Sequence, residues 1–279
     1  MSSDVALSTV TRPALRYFGA KYRLAPWIIG HMPPHVCYCE PFGGGANVLL
    51  RKPASTYEVY NDIDGEVVNF FRVLRERTAD LVQAIQLTPH SREEQRLSFE
   101  PCDDPFERAR RLYVRSWQSY GGCRTQWRSG WRYSVRQSAH KAVTRSWGET
   151  DHLWPIVARL KQVQIEHDDA LKVIGRFDDL GTLYYCDPPY LAETRSRRWR
   201  YKAYTHECDE AYHRALAERL QAVEGLVLLS GYDAPLYREL YPGWEVATMR
   251  AHTDFASQTT ECLWISPRTA QALAGERLI

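Results

Sequence analysis

The sequence predicts an α/β domain of mostly parallel strands and crossover helices, interrupted by a basic, mainly helical insert. Three observations predict it. Short apolar runs end in glycine- or proline-containing turns and lead into helix-compatible segments. That alternation stops near residue 78 and resumes near residue 161. The interrupted stretch is also where the positive charge collects.

Taken in order, Cys37 to Phe42 reads as a strand running into the turn Phe42-Gly43-Gly44-Gly45-Ala46, after which Asn47 to Leu50 can begin a helix. Tyr57 to Tyr60 is a second strand, closed by Asn61-Asp62-Ile63-Asp64. Val67, Val68, Phe71 and Leu74 then share one helix face. Strand, glycine turn, helix, strand, acid is the order of a nucleotide-binding βαβ unit. Asp62 is placed to take ribose hydroxyls, whereas Asp64 looks like the cap of the next helix. Taken alone, the glycine loop fits a tight strand-to-helix turn equally well.

Strands resume at Val163 to Glu166 and at Thr182 to Cys186. A helix over residues 207–222 carries Leu216 and Leu220 on one side and stops before Gly225. Leu226 to Leu229 is a buried-type strand, and Cys262 to Ile265 a last one. The main α/β domain is therefore drawn as residues 1–77 and 161–279, and the insert as residues 78–160.

Composition excludes several classes. With 44% apolar and 25% charged residues the chain is neither disordered nor fibrous. No apolar run approaches the roughly 18 residues of a membrane span. Seven cysteines without C-x-x-C pairs give neither a zinc site nor a disulfide framework, so a reducing cytoplasm is expected. The net charge of +2 conceals a segregation. Between Glu107 and Glu149 lie ten basic residues and no acid, and Arg195, Arg197, Arg198, Arg200 and Lys202 face only Glu193. These clusters carry +10 and +4, leaving −12 on the rest of the chain. Both are interleaved with Trp and Tyr, a pattern that suits phosphates and exposed bases better than a merely solvated face.

Asp187-Pro188-Pro189-Tyr190 follows an apolar strand, at the carboxyl edge where parallel sheets place active sites. Two prolines remove two N–H donors and leave their carbonyls as acceptors. Beside a carboxylate and an aromatic ring, that set suits a planar group bearing an NH2. As a bare tetrapeptide it is equally a turn.

Combined, Glu40 to Ala46, Asn61-Asp62 and Asp187 to Tyr190 resemble the DNA adenine methylase family in its α-type motif order. Leu15 to Lys21, Glu166 to Ala170, Ser230 to Tyr232 and Thr260 to Trp264 resemble further segments of that family, so nearly the whole chain is covered in order. Ala46 stands where the last glycine of F-x-G-x-G is usual, and Ala20 where glycine is common. The resemblance implies a Rossmann-like S-adenosylmethionine-dependent methyltransferase fold with an inserted target-recognition region.

It also implies transfer of a methyl group to adenine N6 in double-stranded DNA. The cofactor site it implies comprises Tyr17, Gly19, Lys21, Glu40, Phe42, Gly43, Gly44, Gly45, Asp62, Asp169 and Asp187, with Asp169 at the cofactor adenine. Asp187 and the Pro188 carbonyl would take the two N6 hydrogens of a flipped base, and Tyr190 would stack on it. Neither a metal nor a covalent intermediate is expected. Arg115, Arg124, Gln126, Arg128 and Arg132 are candidates for DNA contact by residue type, and Arg195 to Lys202 for gripping the strand.

A monomer, with a dimer as the alternative, in a bacterial or phage-infected cell is the expected setting. Competing readings are cytosine-N4 methylation, where Ser or Thr is commoner in place of Asp187, and a non-catalytic DNA-binding protein. A nicotinamide-dependent oxidoreductase fits the glycine loop but explains neither the Asp-Pro-Pro-Tyr turn nor the basic insert.

Overall fold

The computed structural model describes residues 6–17, 19–122, 128–133, 143–194, 205–252 and 258–276. Seven strands form one sheet: β1 (Cys37–Glu40), β2 (Tyr57–Asn61), β3 (Val163–Glu166), β4 (Thr182–Cys186), β5 (Leu226–Gly231), β6 (Glu245–His252) and β7 (Gln258–Ile265). Their order is β3-β2-β1-β4-β5-β7-β6. The first five are parallel, and β7 runs antiparallel to both β5 and β6. β4 and β5 are buried at every position, which is why both read as unbroken apolar runs.

Twelve α-helices surround the sheet: α1 (Ala25–Ile29), α2 (Asn47–Arg51), α3 (Gly65–Glu76), α4 (Thr78–Leu87), α5 (Arg92–Leu97), α6 (Pro105–Gln118), α7 (Val143–Gly148), α8 (Leu153–Leu160), α9 (Ala170–Arg176), α10 (Glu210–Ala222), α11 (Pro235–Leu240) and α12 (Pro267–Glu276), counted among the described residues. Their starts follow sequence chemistry. Asp64 accepts the Glu66 N–H at 2.9 Å and opens α3, as its position suggested. Asp104, with Pro105 at the first turn, caps α6, and Asp209 caps α10 three residues later than the sequence pattern began that helix.

Strand side chains alternate between two cores. Tyr38, Tyr60, Leu183, Tyr185 and Leu228 join one cluster; Cys39, Val59, Tyr184, Cys186 and Leu229 join the other. The first core answers the question of the insert. Leu81 and Ile85 of α4, Leu112 and Tyr113 of α6, and Ile156 and Leu160 of α8 share it with Phe70 and Phe71 of α3. Much of the 78–160 segment is therefore built onto the body of the domain. The rings of Phe70 and Tyr113 stack at 6.3 Å, so truncating Phe70 to Ala removes about 3–5 kcal/mol of stability.

The sheet departs from the sequence expectation in two places. β6 was missed, because an edge strand with polar positions on one side shows weaker apolar patterning than β4 or β5. The final strand is also longer, starting at Gln258 rather than near Cys262.

Candidate active site

The carboxyl ends of β2, β1 and β4 lie side by side, and the loops leaving them shape one cavity. Counting the solvent space at its open mouth, it encloses about 1000 Å3.

Its floor is the glycine loop after β1. The Gly43 N–H donates to the Asn61 carbonyl at 2.8 Å, and the Gly44 N–H to the Asp62 carboxylate at 2.6 Å. The Tyr60 hydroxyl donates to the Gly44 carbonyl at 2.8 Å. A Cβ on Gly43 would meet the Tyr60 ring at 2.2 Å and the Asn61 carbonyl at 3.0 Å, so only glycine allows this approach. Gly44 has φ +46°, and Ala46, the departure from the usual glycine, sits left-handed at φ +52°. An L-residue there costs about 1–2 kcal/mol.

Asn61, wholly buried at the end of β2, ties three strand ends together. Its side-chain amide donates to the carbonyls of Pro41 and Asp168 at 2.9 and 3.0 Å, and its oxygen accepts the Asp168 N–H. The Asp62 carboxylate also accepts the Asp64 N–H at 2.8 Å. Burial nevertheless pushes Asp62 up to about 6, with the neighbouring Asp64 adding to the effect. Glu40, buried at the end of β1, accepts the Leu49 N–H at 2.9 Å and the Tyr38 hydroxyl at 3.2 Å, and burial pushes it up to about 8. Across the cavity Asp169 caps α9 and accepts the Tyr212 hydroxyl at 3.3 Å, while the Tyr212 ring stands edge-on to Phe42 at 6.4 Å.

At the other end lies the Asp-Pro-Pro-Tyr turn after β4. Lys21 Nζ sits 2.9 Å from the Asp187 carboxylate and 3.6 Å from that of Glu261 on β7. The same ammonium lies over the Tyr190 ring, 4.8 Å from its centroid. The Tyr190 hydroxyl donates to Glu261, and the edge of Tyr232 meets its ring at 4.8 Å. The Pro189 carbonyl is engaged by His213 Nε2 at 3.2 Å, a buried ring whose other nitrogen meets the Tyr237 hydroxyl at 3.3 Å. No group of three or more metal-ligating side chains occurs among the described residues.

All eleven residues singled out for the cofactor line this cavity: Tyr17, Gly19, Lys21, Glu40, Phe42, Gly43, Gly44, Gly45, Asp62, Asp169 and Asp187. Of the turn, Pro189 also lines it, whereas Tyr190 is only 8% exposed and lies behind Lys21. The sequence reading missed Tyr212, His213 and the clipping role of Asn61, and gave no role to Glu261. Nothing local marks the first two, which helix periodicity alone accounts for. Glu261 carries a signal only as an acid in an otherwise apolar strand ending.

The basic stretch is less uniform than its composition. Arg108 pairs with Glu66 at 2.5 Å; Arg110 with Glu107 at 2.7 Å and Glu94 at 2.9 Å; Arg111 with Glu107 at 2.8 Å. Arg115, expected at DNA, has a side chain only 12% exposed, 3.7 Å from Glu66 and over the Phe99 ring. That burial is at odds with its assigned role. Arg128 is 64% exposed, with Glu100 at 3.1 Å. Arg132 belongs to a returning strand-like segment: its N–H donates to the Gln118 carbonyl at 2.7 Å, and Ser119 bridges Trp131 antiparallel. Tyr120 and Tyr133 are half exposed beside it. Arg124, Gln126, Arg195, Arg197, Arg198, Arg200 and Lys202 lie outside the described residues.

The fold and cavity define an α/β protein with an open pocket at the carboxyl edge of its sheet, bounded at one end by the Asp-Pro-Pro-Tyr turn. Comparison with known proteins supplies the particular class. Residues 17–253 match the family model of the D12 class N6 adenine-specific DNA methyltransferases. A DNA adenine methylase of Salmonella typhi is 28% identical over 240 residues, covering 82% of this chain and 84% of its own. The DNA adenine methylase of Escherichia coli K12 is 26% identical over 257 residues, covering 88% and 90%. The type II methyltransferase M1.LlaDCHI of Lactococcus lactis is 27% identical over 265 residues, covering 86% and 88%. The chain belongs to the D12 class N6 adenine-specific DNA methyltransferases. It is thus an enzyme that methylates adenine in DNA, and its seven-stranded sheet is that family's methyltransferase fold.

Proposed function

We propose that the methyl donor is S-adenosylmethionine, bound along the cavity from Asp169 to Lys21, and that the target amine docks at Asp187. One observation carries the donor reading. Among the described residues the cavity is lined by the carboxyl groups of Glu40, Asp62, Asp64, Asp169, Asp187 and Glu207 against Lys21 and His206. Burial already holds Asp62 and Asp64 above their ordinary carboxylate values, with Asp64 adding to the effect at Asp62 and Glu66 at Asp64. A cationic ligand relieves that, whereas a dinucleotide pyrophosphate aggravates it. Gly43 to Gly45 line the cavity without side chains, which suits the close approach of a nucleoside-type ligand to the backbone.

Asp62 and Asp169 are the acceptors suited to the donor's hydroxyls and base, with Phe42 and Tyr212 as apolar walls. When bound, the donor supplies a methyl group on a sulfonium sulfur, which needs no further activation. The chain's task is to present the amine. Because His213 engages the Pro189 carbonyl, the Pro188 carbonyl is the acceptor of the turn that remains beside Asp187. Together they take two N–H bonds and favour a lone pair aimed into the cavity; much of the rate comes from this alignment. Tyr190 supplies the ring under the flipped base. Tyr120, Arg128 and Tyr133 form the described part of a surface suited to duplex DNA.

Calorimetric titration tests the donor. S-adenosylmethionine should bind, and Asp62→Ala should weaken it. Binding of NAD in its place would overturn the reading.

A further inference from the structure

The Lys21 ammonium makes the contacts that an arriving adenine amine would make. It donates to Asp187 at 2.9 Å and lies 4.8 Å above the Tyr190 ring, the surface on which the base is to stack. Two occupants of one subsite exclude each other. A base can engage Asp187 and Tyr190 only once Lys21 has moved, and a buried ammonium moves only to another acceptor. One lies within reach: Glu261, 3.6 Å from Lys21 Nζ, with its side chain 7% exposed. β7 runs antiparallel to β5, pairing Cys262 with Gly231, and this brings Glu261 to the carboxyl edge of the sheet from the far end of the chain.

We propose that Lys21 occupies the amine subsite of Asp187 until the base enters, and that Glu261 is the positioning residue that then receives the ammonium while holding the Tyr190 phenol. This rests on Asp187 being the amine acceptor. The geometry gives Glu261 both tasks at once: it accepts the Tyr190 hydroxyl, which fixes the ring plane, and it flanks the lysine. Burial raises its proton affinity and Lys21 lowers it, so the carboxylate is best held as an anion when the ammonium is close. The titratable groups around the ammonium are Asp187 after β4, Glu261 on β7, Tyr190 in the turn, Tyr185 on β4 and Glu40 at the end of β1. Among these only Asp187 and Glu261 lie within ion-pair distance of it. Exchange between the two moves no proton and breaks no covalent bond.

The test is single-turnover transfer of tritiated methyl from S-adenosylmethionine to unmethylated duplex DNA, with products also identified as nucleosides. Glu261→Gln keeps an acceptor for Tyr190 but offers Lys21 no charge. It should slow transfer on the order of tenfold, with donor affinity unchanged. With no carboxylate to receive the ammonium beside the Gly19 carbonyl it already meets at 3.1 Å, the lysine leaves more readily as the neutral amine, so the deficit should shrink between about pH 7 and about pH 9. Glu261→Asp should recover most of the rate. In a Lys21→Met background the Glu261→Gln effect should largely vanish, since nothing remains to be moved.

A Glu261→Gln enzyme as fast as wild type, a deficit independent of pH, or full additivity with Lys21→Met overturns the proposal. Should Glu261→Gln not fold, Lys21→Met alone decides: with the subsite unoccupied beforehand, at saturating donor it should flip 2-aminopurine at the target position faster than wild type in stopped-flow fluorescence, and equal or slower flipping overturns the proposal. Wild-type protein that forms no N6-methyladenine defeats the amine-subsite reading itself. N6-methyladenine with an indifferent Glu261 defeats only this inference.

Discussion

The carboxyl edge of the sheet and the basic stretch from Arg108 to Arg132 were both conspicuous in sequence, yet they behave differently in three dimensions. At the sheet edge, residues from five separate segments converge on one cavity: Tyr17 with Gly19 to Lys21, Glu40 to Gly45, Asp62, Asp169 and Asp187. In the basic stretch, residues adjacent in sequence diverge. α6 turns Arg108, Arg110 and Arg111 toward Glu66, Glu94 and Glu107, and leaves Arg115 mostly buried beside Glu66. Sheet topology fixes where a strand-end residue goes, because each parallel strand delivers its following loop to the same edge. A helix distributes a charge run around its circumference, so counting arginines overstates the charge offered to a partner.

The largest expected effect breaks the sheet-edge side of this contrast. Asp187→Ala should abolish methyl transfer while donor binding stays measurable by calorimetry; normal turnover would remove Asp187 from the site. Next comes Glu40. Its carboxyl is raised from 4.5 to about 8 by burial, so the protonated form favours the folded state. That contribution is complete below the unfolded value of 4.5 and is lost as pH rises toward and through about 8. Glu40→Gln stays neutral, so in urea unfolding its stability relative to wild type should climb across that window and then level off. A difference that does not vary with pH would contradict the burial argument.

The basic stretch is sharpened by a pair of variants. Arg128→Ala, at a side chain 64% exposed, should reduce the slope of log affinity for DNA against log salt by about 1 and leave stability nearly unchanged. Arg110→Ala, which breaks pairs to Glu107 and Glu94, should destabilise the fold by about 1 kcal/mol and leave that slope unaltered. If the two were interchangeable, composition would have been a sufficient guide. The smallest effect is at Ala46, left-handed at φ +52°. Ala46→Gly relieves that strain and should raise stability by a few tenths to about 1 kcal/mol in thermal unfolding.

What the sequence made legible divides along the same line. β1, β2, β4 and β5 were readable because they are apolar runs with turn chemistry at their ends, and Asp64 because capping is a local act. β6 was not, since an edge strand lacks that signature. The cavity's residues were readable through the motif order. The relations among them were not: that Asn61 clips Pro41 to Asp168, that His213 engages the Pro189 carbonyl, and that Lys21 bridges Asp187 and Glu261. Each of these joins residues far apart in the chain, and only the register of the sheet brings them together. Tyr190 marks the difference most plainly: its identity suggested a stacking ring, whereas only the structure places Lys21 over that ring and Tyr232 against it.

The most direct measurement incubates the purified protein with S-adenosylmethionine and unmethylated duplex DNA, then digests the DNA to nucleosides for mass spectrometry. An amine docked on Asp187 beside the Pro188 carbonyl predicts N6-methyldeoxyadenosine as the product, absent when Asp187→Ala replaces the wild type. N4-methyldeoxycytidine in its place, or the adenine product persisting in the Asp187 variant, would contradict it.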